Sequence, residues 1–202
     1  QISDLHVGNR FDWNFLIESF MKAKQFKPDF CINAAAYTAV DKAESEPEKA
    51  YAINVTGAQN LAAVCKSSNT TLLHVSTDFV FDGNASKPYT DEDTPNPTGV
   101  YGQTKLDGEK AIQAIWEKHF IVRTSWVYSQ FANNFMKTML RLGHEKDSLS
   151  VVNDQIGTPT NAVDLAEVLI KIIESCYAEL VSASNYGIYN FSNEGQCSWY
   201  DF

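Results

Sequence analysis

The chain predicts an α/β protein with a doubly wound, mostly parallel sheet, and three observations carry that prediction. Short apolar runs read as buried strands at Phe30–Asn33, 72–76, Phe120–Thr124 and Tyr186–Phe191. Longer stretches with helical spacing of apolar residues separate them. The run at 72–76 ends in hydroxyls and a carboxylate, and three alanines follow Asn33, at the carboxyl ends of strands where an open parallel sheet meets its ligand.

Taken in order, Trp13, Leu16, Ile17, Phe20, Met21 and Phe26 predict a helix over 13–26, ended by Lys27, Pro28 and Asp29. The strand Phe30–Asn33 is followed at once by Ala34, Ala35 and Ala36. Three such small residues allow another group close to the backbone, either a dinucleotide or a packed helix. Ser45, Pro47 and Glu48 read as an N-cap, an early proline and a capping-box glutamate. The helix they open runs to about Lys66, with Ala50, Ile53, Asn54, Gly57, Ala58, Leu61 and Val64 inward and Gly57 allowing close packing on the sheet.

The strand at 72–76 leads into Thr77 and Asp78. Residues 82–99, rich in Gly, Asn, Pro, Asp and Thr, read as a surface excursion long enough to suggest function or mobility. A helix is expected from about Val100 to Lys118, then the strand Phe120–Thr124, which Ser125, Trp126, Val127 and Tyr128 continue. Asn133 and Asn134 open a further helix with Phe135, Met136, Met139, Leu140 and Leu142 apolar. A strand is expected over Leu149–Val152, a polar turn over 153–159, and an amphipathic helix from Thr160 and Asp164. The strand Tyr186–Phe191 and a helix beginning at Ser198 complete the pattern.

Composition narrows the function. With 202 residues, a sizeable core is expected. A net charge of −9 leaves no basic stripe to replace phosphate counterions, so no nucleic-acid partner is expected. Apolar runs fall far short of the roughly 20 residues that span a bilayer, and no signal peptide or membrane association is expected. Of four scattered cysteines, Cys31, Cys65 and Cys176 sit in apolar runs and read as reduced core residues of a cytoplasmic protein. No His or Cys spacing suggests a metal site.

The chemistry concentrates in two stretches. Leu72, Leu73 and Val75 form a strand ending in Ser76, Thr77 and Asp78. Tyr101 and Lys105, four residues apart, share one face of the following helix. A Tyr-x-x-x-Lys pair is weak alone, since chance supplies roughly 0.6 in a chain of this composition. Its position at a helix start, soon after a hydroxyl-rich strand end, strengthens it. A carbonyl that accepts hydride needs a proton, and an unperturbed phenol with a pKa near 10 is a slow partner at neutral pH. A neighbouring ammonium is expected to lower that pKa, with Thr77 fixing the carbonyl oxygen.

At these residues the sequence resembles the dTDP-4-dehydrorhamnose reductase family of the extended short-chain dehydrogenase/reductase superfamily. The matching stretches are 32–47, 75–83, 100–109, 123–128, Asn134 with Phe135, and 153–160. The resemblance implies a Rossmann-like domain over 1–125. It also implies a segment at 126–202 that mixes its last elements with part of a smaller C-terminal substrate domain. It implies catalytic roles for Thr77, Tyr101 and Lys105. Asp12, Trp13, Ala36, Tyr37, Thr38, Tyr101 and Lys105 would contact NADPH or NADH. Thr77, Asp78, Trp126, Asn134, Gln155 and Thr158 would meet a nucleotide sugar, dTDP-4-dehydro-L-rhamnose. A homodimer is compatible, and no metal ligands are matched. The family's first strand and glycine turn, which would hold a pyrophosphate, are expected upstream of Gln1, and the substrate domain is expected to run beyond Phe202.

Two alternatives remain at this point. A nucleotide-sugar epimerase or dehydratase shares the pattern, although Phe79 stands where a dehydratase has a second acid. A non-catalytic regulatory subunit resembling that of methionine adenosyltransferase is the other, and the intact Thr77, Tyr101 and Lys105 set argues against it.

Overall fold

The structure is a computed structural model that describes residues 27–178 and 185–202. The predicted helix at 13–26, and Asp12 and Trp13 with it, lie outside the described residues. The chain divides into two compact units, one ending at Ile121 and the other beginning at Val122.

The fold is α/β with a mainly parallel sheet. Strand β1 (Phe30–Asn33) pairs in parallel with β2 (Thr71–Thr77), Asn33 opposite His74. The next strand, β3 (His119–Thr124), is buried along its length. Two two-residue strands follow, β4 (Val127–Tyr128) and β5 (Ile156–Gly157), then β6 (Thr160–Asn161), β7 (Gly187–Asn190) and β8 (Cys197–Ser198). The main sheet has the order β1-β2-β3-β7, while β4 pairs with β6 in parallel and β5 with β8 antiparallel.

Helices α1 (Val40–Ala43) and α2 (Pro47–Tyr51) lead into a π-helical segment, Ala52–Gly57, and then α3 (Ala58–Ser68). The predicted long helix is therefore real but carries a π turn. Its extra residue shifts the helical register. Ala50, Asn54, Val55 and Ala58 are buried, and beyond the turn the inward positions are Ala62 and Cys65 rather than the predicted Leu61 and Val64. The capping-box expectation also fails. Glu46 is the N-cap residue and makes no side-chain cap bond, because its carboxylate accepts from the Tyr37 phenol and the Lys49 ammonium. Ser45 instead donates to the Lys42 carbonyl.

Helix α4 (Val100–Ile115) ends three residues before the predicted Lys118. Its first amides have no capping side chain of their own. Glu44 supplies one from a distance, its carboxylate accepting from Val100 N–H at 2.8 Å, a favourable anion at a helix N-terminus. Close packing falls on α4, not on Gly57. A Cβ at Gly102 would lie 2.1 Å from the Phe79 carbonyl oxygen, and one at Gly108 2.2 Å from that of Asn54, whereas at Gly57 it would make only ordinary contact.

In the second unit, α5 (Phe135–Glu145) and α6 (Ala162–Ala178) follow the predicted patterns. Leu149–Val152 is not a strand, and the stretch predicted to be only turn contains β5. Residues after β8 form one hydrogen-bonded turn of helical pattern, Phe202 N–H donating to the Ser198 carbonyl at 3.0 Å. Ser198 and Asp201 cap it reciprocally, as at a helix start, the Ser198 N–H donating to the Asp201 carboxylate and the Asp201 N–H to the Ser198 hydroxyl.

Candidate active site

The site is built where the carboxyl ends of β1 and β2 meet α4, all within the first unit. Strand β2 ends at Thr77, whose hydroxyl accepts from Phe79 N–H at 3.2 Å and donates to Asp78 at 3.1 Å. A 3-10 turn over Asp78–Val80 then folds back on α4. Phe79 meets the Tyr101 ring edge-on, with centroids 5.4 Å apart, and Gly102 lets the turn approach to backbone contact.

The structure brings Thr77, Asp78, Tyr101 and Lys105 together. Tyr101 and Lys105 are both buried on the inner face of α4. Lys105 Nζ donates to the Val75 carbonyl at 2.9 Å and lies 3.4 Å from His74 Nε2. Burial pushes the Lys105 pKa down to about 8, opposed by the Glu109 carboxylate. It raises that of Tyr101, where a Thr77 hydrogen bond works the other way and the Asp78 charge adds to the rise. Asp78 is itself pushed up to about 6 by burial, against the hydrogen bonds it accepts. The expectation that Lys105 draws the phenol's pKa down is thus not what the geometry gives. The ammonium is turned to the Val75 carbonyl, and desolvation governs the phenol.

The cofactor-side residues also belong to the first unit. Ala34 and Ala35 are exposed beyond the end of β1, with Ala36 half-buried. Tyr37 is buried, Thr38 exposed. Asn54, in the π turn, accepts from Tyr37 N–H at 2.8 Å, donates back to its carbonyl at 3.2 Å, and donates to Thr104 on α4 at 3.1 Å. One buried amide therefore ties the alanine turn to the Tyr101 helix. A ledge of exposed methyls beside the end of β2 fits a flat ligand laid against the backbone, and this is the observation on which a dinucleotide fits these residues.

The remaining predicted residues lie in the second unit. Trp126 has a positive φ of 47°, a strained conformation for a bulky residue. Its ring stacks on Trp199 at 3.6 Å, and a Cβ at Gly157 would come within 2.5 Å of it. Asn134 is the N-cap of α5, accepting from Lys137 N–H at 3.1 Å and donating to the Ser129 carbonyl at 2.6 Å. The Thr158 carbonyl accepts from the Ser125 hydroxyl at 2.6 Å, and Gln155 is exposed.

The sequence gives no direct sign of a role in the site for Asn33, Asn54, His74 or Glu109, although all four are buried. The available signal was polarity out of place: a histidine inside an apolar strand, and an asparagine on the inner side of a helix.

A carboxyl-edge site of Thr, Tyr and Lys on a mainly parallel α/β sheet defines a Rossmann-like protein of the short-chain dehydrogenase/reductase kind. Within that class the chain belongs to the family described as the RmlD substrate binding domain, whose model matches residues 11–202. It is 49% identical over 200 residues to a dTDP-4-dehydrorhamnose reductase of Aggregatibacter actinomycetemcomitans, covering 99% of this chain and 65% of that one. It is 46% identical over 179 residues to the reductase of that name from Escherichia coli strain K12, covering 89% of this chain and 59% of that one. The chain thus spans about three fifths to two thirds of the length of these relatives. Among solved structures it resembles a Bacillus anthracis dTDP-4-dehydrorhamnose reductase in complex with NADP. The TM-score is 0.85 at 40% identity, over 95% of this chain and 65% of that one.

Proposed function

We propose that the protein reduces the C4 carbonyl of dTDP-4-dehydro-L-rhamnose to give dTDP-L-rhamnose, using NADPH or NADH. The observation that carries this reading is the convergence of Thr77, Tyr101 and Lys105 at the carboxyl edge of β2, in a chain whose relatives bear the reductase's name. A bound nicotinamide supplies a hydride to the carbonyl carbon. The chain's own part is to orient the carbonyl and provide the proton. Tyr101, kept protonated at neutral pH by burial, donates to the carbonyl oxygen. The Thr77 hydroxyl bonds the same oxygen and fixes its direction. Lys105, its pKa pushed down to about 8 by burial, stands one helical turn from the phenol as the group that would return its proton.

Ala36, Tyr37 and Thr38 would line the cofactor, with Asp12 and Trp13 at its adenine end. Asp78, Trp126, Asn134, Gln155 and Thr158 would contact the nucleotide sugar. Cytoplasmic location and a homodimer belong to the same reading. Among the described residues, no helix is long and apolar enough to cross a membrane.

The test is turnover by the full-length protein. It should oxidise NADPH or NADH with this ketosugar, and Tyr101→Phe should lower kcat by about 10²- to 10⁴-fold while leaving cofactor affinity within a few-fold. Turnover of a different nucleotide sugar in its place rejects the substrate. Undiminished turnover in Tyr101→Phe rejects the acid.

A further inference from the structure

Lys105 is one of the largest fully buried side chains in the molecule. A buried ammonium carries three donors and needs acceptors for them. The described contacts give its Nζ one carbonyl oxygen, that of Val75, and one ring nitrogen, His74 Nε2. What that nitrogen offers depends on the imidazole tautomer, and a third residue fixes the tautomer.

Asn33 ends β1 directly opposite His74. Its Oδ1 accepts from Ala35 N–H at 3.1 Å, which sets the orientation of the amide. Its Nδ2 therefore faces His74 Nδ1, at 2.8 Å. An amide nitrogen only donates, so Nδ1 must present its lone pair, and a neutral imidazole then carries its proton on Nε2. Burial holds His74 neutral, well below the ordinary imidazole range, and the Lys105 charge acts in the same direction. The N–H on Nε2 thus points at Lys105 Nζ.

We propose that Asn33 and His74 form a relay of fixed polarity that presents an N–H to Lys105 Nζ, making His74 a positioning residue for that amine. An N–H opposite an ammonium is a mismatch of two donors. Opposite a neutral amine it is a hydrogen bond to the lone pair. The relay therefore favours the amine and aims its lone pair at the strand. Glu109 on α4 itself favours the ammonium, His74 on β2 lies 3.4 Å from Nζ, and Tyr101 on α4 and Asp78 on the turn packed against it are the other titratable groups at this end of the helix. The π-helical segment packed on the same helix contributes Asn54, which carries no charge. Burial and the His74 N–H thus work against the charge that Glu109 favours. The inference rests on the reductase reading for its catalytic meaning.

The experiment uses the full-length protein labelled with ¹⁵N at histidine and lysine. In the wild type, His74 should show a pyridine-like Nδ1 and a pyrrole-like Nε2. Asn33→Asp keeps the oxygen that accepts from Ala35 but places a carboxylate at Nδ1. The proton then moves to Nδ1, and Nε2 turns its lone pair to Lys105. The Lys105 titration should rise by about one pH unit, roughly tenfold in proton affinity, and the basic limb of the kcat profile should follow it. A proton found on Nδ1 in the wild type overturns the proposal, even if Asn33→Asp fails to fold. So does a Lys105 titration unmoved in Asn33→Asp, or one that moves without the kcat profile. Failure of the wild type to reduce the ketosugar overturns the reductase reading alone, because the nitrogen signals and the Lys105 titration are read without turnover.

Discussion

Helices α4 and α5 are both well patterned in sequence, and the structure uses them in opposite ways. Helix α4 buries eight residues, among them Thr104, Lys105 and Glu109. Helix α5 buries none, although its apolar residues recur at helical spacing. Each buried polar group of α4 has a partner. Thr104 meets Asn54, Lys105 meets Val75 and His74, and Glu109 accepts from Ser76. Helix α5 is instead held by half-buried contacts, Phe135 against the Trp199 ring at 4.5 Å, by the Asn134 cap and by an exposed Arg141–Glu145 pair at 2.7 Å. The contrast teaches that apolar periodicity announces a helix but not what the helix is for. Polar residues that are buried and satisfied mark the helix on which the site depends, because each would be costly if left unpaired.

The largest expected effects break α4 at its glycines. Gly102→Ala or Gly108→Ala would drive a Cβ into a carbonyl oxygen of the main chain, which no rotamer relieves. Each should destabilise the fold by on the order of 3 kcal/mol, as overpacking of a tight contact does. Gly102→Ala should also displace the Asp78–Val80 turn. Chemical denaturation of both variants measures this, and a midpoint unchanged from wild type would contradict the close approach.

The second effect concerns charge held near α4. Asp78 has a folded-state pKa of about 6, above the ordinary value near 3.9. The folded state therefore binds the proton more tightly than the unfolded state. Stability is fullest below the unfolded value and is lost as pH rises through the folded one, between about 4 and 6. Asp78→Asn removes that loss, so its stability relative to wild type should grow across this window by about 2–3 kcal/mol. Unfolding curves at pH 4 and pH 7 read it. Asp82, four residues further on, behaves oppositely. Hydrogen bonds from Asn84, Tyr89 and Asn96 lower its pKa to about 2. Sequence distance says little about which carboxylate is strained; the surroundings of each decide.

That point also sets how far the sequence could be read. The Tyr101 and Lys105 pair was legible because both lie on one helix at a spacing that the helix dictates. The end of β2 was legible because its apolar run stops at hydroxyls. The Asn33–His74 contact was not, since its partners are 41 positions apart and only parallel pairing in one register joins them. The π turn at Ala52–Gly57 leaves no mark in composition, so the inner face beyond it lies one residue out of step with α-helical spacing. Strands β4, β5 and β8 have two residues each, too few to show alternation. A glycine in the middle of a helix, such as Gly57, suggests close packing, but the glycines that meet backbone, Gly102 and Gly108, lie on the helix facing it.

A third effect tests the α5 end of the comparison. Asn134→Ala removes the cap acceptor of Lys137 N–H and the donor to Ser129. It should cost about 1 kcal/mol, and Asn134→Ser, which keeps a capping oxygen, should recover most of it. If Asn134 also meets the nucleotide sugar, the serine variant will show normal stability with a raised KM. Thermal unfolding alongside steady-state kinetics separates the two roles.

The smallest effect is a gain, and it completes the contrast between the helices. Gly143 lies inside α5, and a Cβ there would meet nothing within 4 Å. Alanine at that position loses less backbone freedom on folding than glycine does and creates no clash. Gly143→Ala should therefore stabilise the protein by about 0.5–1 kcal/mol, opposite in sign to the same substitution in α4. One chemical change in two helices of one chain then reads out the packing around each. A loss of stability in Gly143→Ala would mean that α5 is covered on that side in solution, and the opposition between the two helices would fail at that residue.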